Sequence, residues 1–233
     1  MGLFERWSRI WSRGEPDMDI HEARFTVLDT ELTGLDERKD AIVSIGAVRM
    51  RGGALAVGGA FHELVNPSTP LDGRSVVIHG ITPSQVEAKP PIDTVLTTFL
   101  DYCAGSVLVG HCLAIDLAFL EREARRLTGA PLAHARVDTL ALYGWLRHRQ
   151  PDHPAFSLPL GELNLFRLAG SFGIPVEKAH TALGDAYVTA QLFQRFLPLL
   201  AEAGVTRLAG LLRVGDPQRQ AENLLAPGGN VHF

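Results

Sequence analysis

The chain has 233 residues, 46% hydrophobic and 21% charged, the balance of an ordinary globular protein with room for a sizeable core. A formal net charge of −4 and a pI near 6.1 exclude a basic protein that coats nucleic acid electrostatically, though not one that engages a short stretch or an end. Two cysteines, Cys103 and Cys112, are too few for a disulfide framework and lack zinc-ligand spacing. With no apolar run long enough to span a bilayer and no secretory signal at the start, a reducing cytoplasm is the expected setting.

Residues 1–23 form a leader of distinct composition. Leu3, Phe4, Trp7, Ile10 and Trp11 recur at helical spacing with Arg6, Arg9 and Arg13 between them, an amphipathic pattern closed by Gly14 and Pro16. Such a helix usually buries its face on its own protein; a partner protein or a membrane surface are the other uses of the pattern. Phe25-Thr26-Val27-Leu28 reads as a buried strand. Asp36 to Asp40 is a charged turn, Ala41 to Arg51 a second strand, Gly52-Gly53 a hairpin turn and Ala56 to Val65 a third strand, an antiparallel meander. A loop runs from Asn66 to Pro91, in which His79 is expected to hold the loop by a hydrogen bond and to do no chemistry.

From Ile92 the period becomes helical, with Val95, Leu96, Phe99 and Leu100 on one face. Ser106 to Gly110 has the all-apolar pattern of a central parallel strand. Leu113 to Thr128 is an amphipathic helix stopped by Gly129, Val137-Asp138-Thr139 a brief strand end, and Leu140 to Arg149, Leu160 to Phe172 and Thr181 to about Ala203 are helices. The stretch from Gly204 to Phe233 reads as an arm or tail of low pattern. The whole is one α/β domain with a mixed sheet.

Three stretches place acids where chemistry could use them. Asp29 and Glu31, two apart at the end of the first strand, share one face. Paired carboxylates resist joint ionisation, and a hard divalent cation relieves that penalty. Asp116 stands where the apolar strand passes into a helix, a position where sites collect but where helix caps are also common. His180 and Asp185 are five apart, about 140° around a helix, so they meet in one cleft only if His180 lies in the loop, Thr181 caps the helix and Asp185 sits in its early turns. An imidazole so placed can accept a proton near neutral pH. Singly, these segments read as a solvated strand end, a helix cap and a surface histidine.

Taken together, DTELTGL at 29–35, VGHCLAIDLAFL at 109–120 and HTALGDAYVTA at 180–190 resemble, in order and spacing, the DEDDh branch of the 3′–5′ exonucleases; IHGIT at 78–82 and VDTL at 137–140 are also similar to family segments. The resemblance spans roughly residues 24 to 200 and implies an RNase H-like fold, a mixed five-stranded sheet flanked by helices, in a domain of residues 24–203. It implies that Asp29, Glu31, Asp116 and Asp185 hold two Mg²⁺ or Mn²⁺ ions, with Asp29 bridging both, Glu31 and Asp185 completing one site and Asp116 acting largely through water. His180 would be the general base toward the attacking water, and the product a nucleoside 5′-monophosphate. Thr33, Gly34 and Leu35 would bind the 3′-terminal nucleotide through backbone amide and an apolar wedge, with His111 beside them. Two positions depart from the family pattern, Leu32 for a threonine and Cys112 for an asparagine; neither is an expected metal ligand, and both bear on grip and substrate preference.

Glu162-Leu163-Asn164-Leu165-Phe166 is close to the short peptide that docks polymerase partners on a sliding clamp, but its leucines fall at core spacing inside an expected helix. The function expected is metal-dependent 3′–5′ hydrolysis of single-stranded DNA ends, with proofreading or repair as the setting such an activity would serve. An RNA-trimming or oligoribonucleotide-degrading exonuclease uses the same chemistry, and only 7% of the chain is aromatic, few for stacking unpaired bases. A catalytically dead nucleic-acid-binding module has no reason to keep four repelling acids and a histidine together. Association with a polymerase, or pairing as a homodimer, is left open by the sequence.

Overall fold

The computed structural model describes residues 18–219 apart from Val57, Asp72 and Lys178. The amphipathic leader helix expected near the start falls outside them, as does the chain beyond residue 219.

The apolar run of the first strand becomes β1 (Arg24–Leu32), which pairs antiparallel with β2 (Ile42–Arg51) and parallel with β5 (Val107–Gly110). The sheet is mixed and has six strands, one more than expected. Beyond β2 lie β3 (Ala54–Leu55) and β4 (Phe61–Leu64), and beyond β5 lies the edge strand β6 (Arg136–Asp138). The extra strand, β3, lies just ahead of the segment read as one strand over 56–65, of which only Phe61–Leu64 pairs, as β4. Gly58 and Gly59 take φ of +86° and +69°, and β3 and β4 pair with β2 separately on either side of them.

The loop expected between Asn66 and Pro91 contains two short helices, α1 (Gly73–His79) and α2 (Pro83–Val86). At seven and four residues they are too short to show a period, and Ser75-Val76-Val77-Ile78 is β-branched enough to mask the first. α3 (Ile92–Cys103), α4 (Ala114–Thr128) and α5 (Thr139–Arg149) follow the expected spans closely. The helix expected over 160–172 starts only at Leu165, because the Asn164 side chain accepts from the Arg167 amide at 3.0 Å and so opens α6 (Leu165–Ser171). α7 (Ala182–Glu202) matches the last expected helix.

The two faces of the sheet carry separate cores. Alternation along β1 sends Phe25 and Val27 toward α5, α6 and α7, while Leu28 joins Leu96, Phe99 and Leu120 under α3 and α4. The arm expected from Gly204 is not an arm over its described part. Its apolar residues recur at helical spacing and form α8 (Leu208–Val214), burying Leu208, Leu211 and Val214 in the α7-side core. Ile20 and Ala23 join that same core, and the Ile20 amide donates to Thr206 O at 3.0 Å. No helix among the described residues is long and apolar enough to cross a membrane.

Candidate active site

The ends of β1 and β5 carry the acids because the sheet pattern puts them there. Asp29 and Glu31 continue the face that Phe25 and Val27 bury, so both project toward the start of α7. Asp185 lies in the first turn of α7, and oxygen atoms of Asp29, Glu31 and Asp185 lie within 4.8 Å of one another. Asp116 comes from the opposite layer, in the first turn of α4, and is not a helix cap. One of its oxygens accepts the Thr30 amide at 2.9 Å and the Thr30 hydroxyl at 2.6 Å. Thr30 faces the α4 side of β1 while its two acidic neighbours face α7, so the four carboxylates converge on one strand end from both layers. A register shift between Glu31 and Leu32 ends the regular pairing of β1 with β2 at this point.

The electrostatics are those of carboxyls that burial makes hard to ionise together. Burial and the charges of Asp116, Asp185 and Glu31 hold the Asp29 carboxyl well above its usual range. Burial, with Asp185 and Asp116, pushes Glu31 up to about 8. Burial raises Asp116 to about 7 against the two hydrogen bonds from Thr30, and raises Asp185 to about 6 against the pull of His180. Four buried acids, of which Asp29 and Glu31 are pushed up further by the charges of their neighbours, form a hard-donor cluster, and the residues present fit a divalent cation that prefers carboxylate oxygen.

His180 lies in the loop before α7, exposed, with φ of +60°. Its amide donates to Asp185 Oδ1 at 3.2 Å, and the Thr181 hydroxyl caps the Gly184 amide at 3.2 Å, the arrangement its spacing required. The Thr33 hydroxyl is used within its own turn. It donates to Asp40 Oδ1 at 2.9 Å and accepts from the Ala41 amide at 3.0 Å. The Thr33 amide goes to Ala41 O, so neither group is free for a ligand. A Cβ on Gly34 would meet Asp40 Oδ2 at 2.4 Å, so a side chain there would displace the carboxylate that holds the turn. Leu35 projects from the same turn, 73% exposed.

A cleft of about 610 Å³ runs from Asp29 and Glu31 past Leu35 to α1, with Arg74, Ile78 and His79 on its far wall and His111, Cys112 and Ile115 at the base. His79 holds its loop as expected, accepting the Ile81 amide on Nδ1 at 3.0 Å. His111 Nδ1 lies 3.0 Å from Thr139 Oγ1, and burial pushes its ring down to about 4, so it is neutral at ordinary pH. Cys112 takes φ of +54°, the turn that carries β5 into α4.

Several residues of this region escaped the sequence reading. Thr30 and Ile115 drew no remark in a strand end and a helix, Asp40 read as part of a charged turn, and Ile78 entered only through the segment IHGIT. Asp138 is fully buried where β6 meets α5 and accepts from the amides of Leu113 at 2.6 Å, Leu140 at 2.7 Å and Ala141 at 3.1 Å. It ties down the corner that bears His111 and Cys112. Only the segment VDTL pointed to it.

The RNase T exonuclease family model matches residues 26–193. The chain is 34% identical over 200 residues to a PolC-type DNA polymerase III of Thermotoga maritima, covering 86% of this chain and 14% of that protein. It is 38% identical over 194 residues to a DNA polymerase III subunit epsilon-like protein of Rhodobacter capsulatus, covering 83% of this chain and 26% of that one. It thus spans well under a third of the length of either. Among solved structures, E. coli exonuclease I in complex with a dT13 oligonucleotide superposes with a TM-score of 0.69 at 18% identity, over 78% of this chain and 43% of that one, a likeness of fold. With the family model spanning most of the domain and its acids gathered at one strand end, the chain belongs to the exonuclease family.

Proposed function

We propose that this protein is a metal-dependent 3′–5′ exonuclease that hydrolyses single-stranded DNA ends to nucleoside 5′-monophosphates, in the setting of proofreading or repair. The observation that carries the reading is the gathering of Asp29, Glu31 and Asp185 within 4.8 Å, with Asp116 held beside them by Thr30. A cluster that destabilises its own charged form is of use only to a protein that binds cations there.

These acids would hold a pair of Mg²⁺ or Mn²⁺ ions, whose positive charge would stabilise the attacking and leaving oxygens of the scissile phosphodiester. The side chains do the rest. Asp29, Glu31 and Asp185 fix the position of that charge, Asp116 completes the set from the second layer, and His180 accepts the proton of the attacking water. Leu35, Ile78 and Ile115 offer exposed apolar surface along the cleft, suited to the faces of unpaired bases. A paired end hides those faces, and this favours single strands. The PolC and epsilon-like relatives are named as polymerase components, which supports a role at a replicating or repaired 3′ end.

The test is to incubate the protein with 5′-labelled single-stranded DNA and RNA of one sequence, with Mg²⁺, Mn²⁺ or EDTA, beside Asp29→Ala. The expected result is a ladder shortening from the 3′ end of the DNA, lost in EDTA and in the mutant. Shortening of the RNA alone would move the substrate to the trimming enzymes. Activity that survives EDTA or Asp29→Ala would end the metal reading.

A further inference from the structure

The segment Glu162 to Phe166, whose clamp-peptide pattern the exonuclease reading does not use, ends on an aromatic ring set against His180. The Phe166 and His180 ring centroids are 4.9 Å apart with an interplanar angle of 81°, an edge-to-face pair. Leu165, next to it, is buried in the core, so the segment is anchored to the domain and is not free to reach a clamp.

The backbone of His180 is well tied. Its amide reaches Asp185, and Thr181 caps the following helix. Its imidazole is not. Among the described residues no hydrogen bond engages either ring nitrogen; the nearby Asp185 carboxylate feels the charge of the imidazole but accepts from the His180 amide, not from the ring. A general base needs a definite direction as well as a proton affinity, and elsewhere a third polar group behind the base supplies it. Here the ring contact of an exposed imidazole on a left-handed residue is Phe166. Phe166 is itself steadied, half-buried against the α7-side core in a helix opened by the Asn164 cap.

We infer that Phe166 is a positioning residue for His180: its ring holds the imidazole at the mouth of the carboxylate cleft in place of a hydrogen-bonded partner. The inference rests on the exonuclease reading for its kinetic consequence, but the contact itself can be tested without turnover.

The experiment combines Phe166→Met, which keeps bulk without the ring, and Phe166→Tyr, which keeps the ring, each alone and with His180→Ala. In the metal-free protein, the ring-proton resonances of His180 are expected to shift in Phe166→Met and stay in place in Phe166→Tyr. On a single-stranded oligonucleotide with Mn²⁺, Phe166→Met should lower kcat roughly three- to tenfold with KM unchanged, the range an aromatic pair of this kind is worth. Phe166→Tyr should restore the rate, and Phe166→Met should cost nothing further once His180 is alanine. An equal loss in both backgrounds would make Phe166 plain packing and overturn the inference. So would unchanged His180 resonances, or full activity in Phe166→Met. Failure of the exonuclease reading is told apart by the unmutated chain, which would then cleave nothing or ignore Asp29→Ala.

Discussion

Thr30 donates twice to a single oxygen of Asp116, by its amide at 2.9 Å and its hydroxyl at 2.6 Å. The acid from α4 is therefore aimed by the strand that carries the other two, and a buried carboxylate that loses a charge-assisted hydrogen bond loses both energy and direction. Thr30→Val is expected to raise the Mn²⁺ concentration for half-maximal nuclease activity about tenfold, while Thr30→Ser stays close to the parent. Metal titration of initial rates checks this, and equal titrations for the two variants would show that the hydroxyl has no part in it.

A second expectation concerns the protein stripped of metal. Asp29, Glu31, Asp116 and Asp185 all have folded-state pKa values above those of the open chain, so the folded state binds their protons more tightly. Stability from this source is complete below the ordinary values of 3.8 to 4.5 and drains away as pH climbs toward about 8. In EDTA, Tm should drop by on the order of 5 °C between pH 5 and pH 8, and Mn²⁺ should recover it at the upper end. Asp29→Asn should melt higher than the parent in EDTA at pH 8 and respond little to Mn²⁺. A parent protein whose Tm rises over this range in EDTA would contradict the repelling-acid account.

Gly46 sits opposite Asp29 in the β1–β2 ladder, and a Cβ there would stand 2.2 Å from the backbone of Ala182 and Leu183. No side chain can yield to relieve that contact, so the start of α7 would have to move, taking Asp185 and His180 with it. Gly46→Ala is expected to cost about 3 kcal/mol and lower Tm by roughly 10 °C. Activity measured well below the new Tm should fall more than a hundredfold, which separates misplacement of the acids from simple unfolding. Retained activity would mean that α7 tolerates the shift.

Cys112 occupies the left-handed region at φ +54°, which asparagine enters far more readily. Cys112→Asn, the residue usual in the family at this position, should raise Tm by about 2–4 °C without loss of activity, whereas Cys112→Ser should give no such gain. Thermal melts of the three proteins decide it. A lower Tm in Cys112→Asn would show that the amide finds no partner in the cleft.

Much of this arrangement is legible in the residues. Alternation along 25–31 dictates which side of the sheet each acid takes, and the spacing of His180, Thr181 and Asp185 dictates a loop, a cap and a first turn, as found. The supporting residues are not legible in the same way. Thr30, Asp40, Asp138 and Phe166 act through partners 86, 7, 25 and 14 positions away, and no local period records such pairings. The short helices α1 and α2 fail for a different reason, since one or two turns carry too little pattern to outweigh β-branched composition. The six-strand count turned on Gly58 and Gly59, which the reading of 56–65 as one strand passed over, and on the two-residue β3 before them, too short to show alternation.

The amide of Asp138, at the end of β6, donates to the Gly215 carbonyl at 2.7 Å, just after α8. A Cβ on Gly215 would come within 2.8 Å of Val137. The match to the family model ends at residue 193, and trimming a recombinant fragment there, or after α7, would look harmless by that boundary. It would instead unseal the border of the sheet and uncover the oily cradle that Leu208, Leu211 and Val214 fill, leaving a sticky species prone to self-association. Anyone excising this nuclease body should carry it through residue 219.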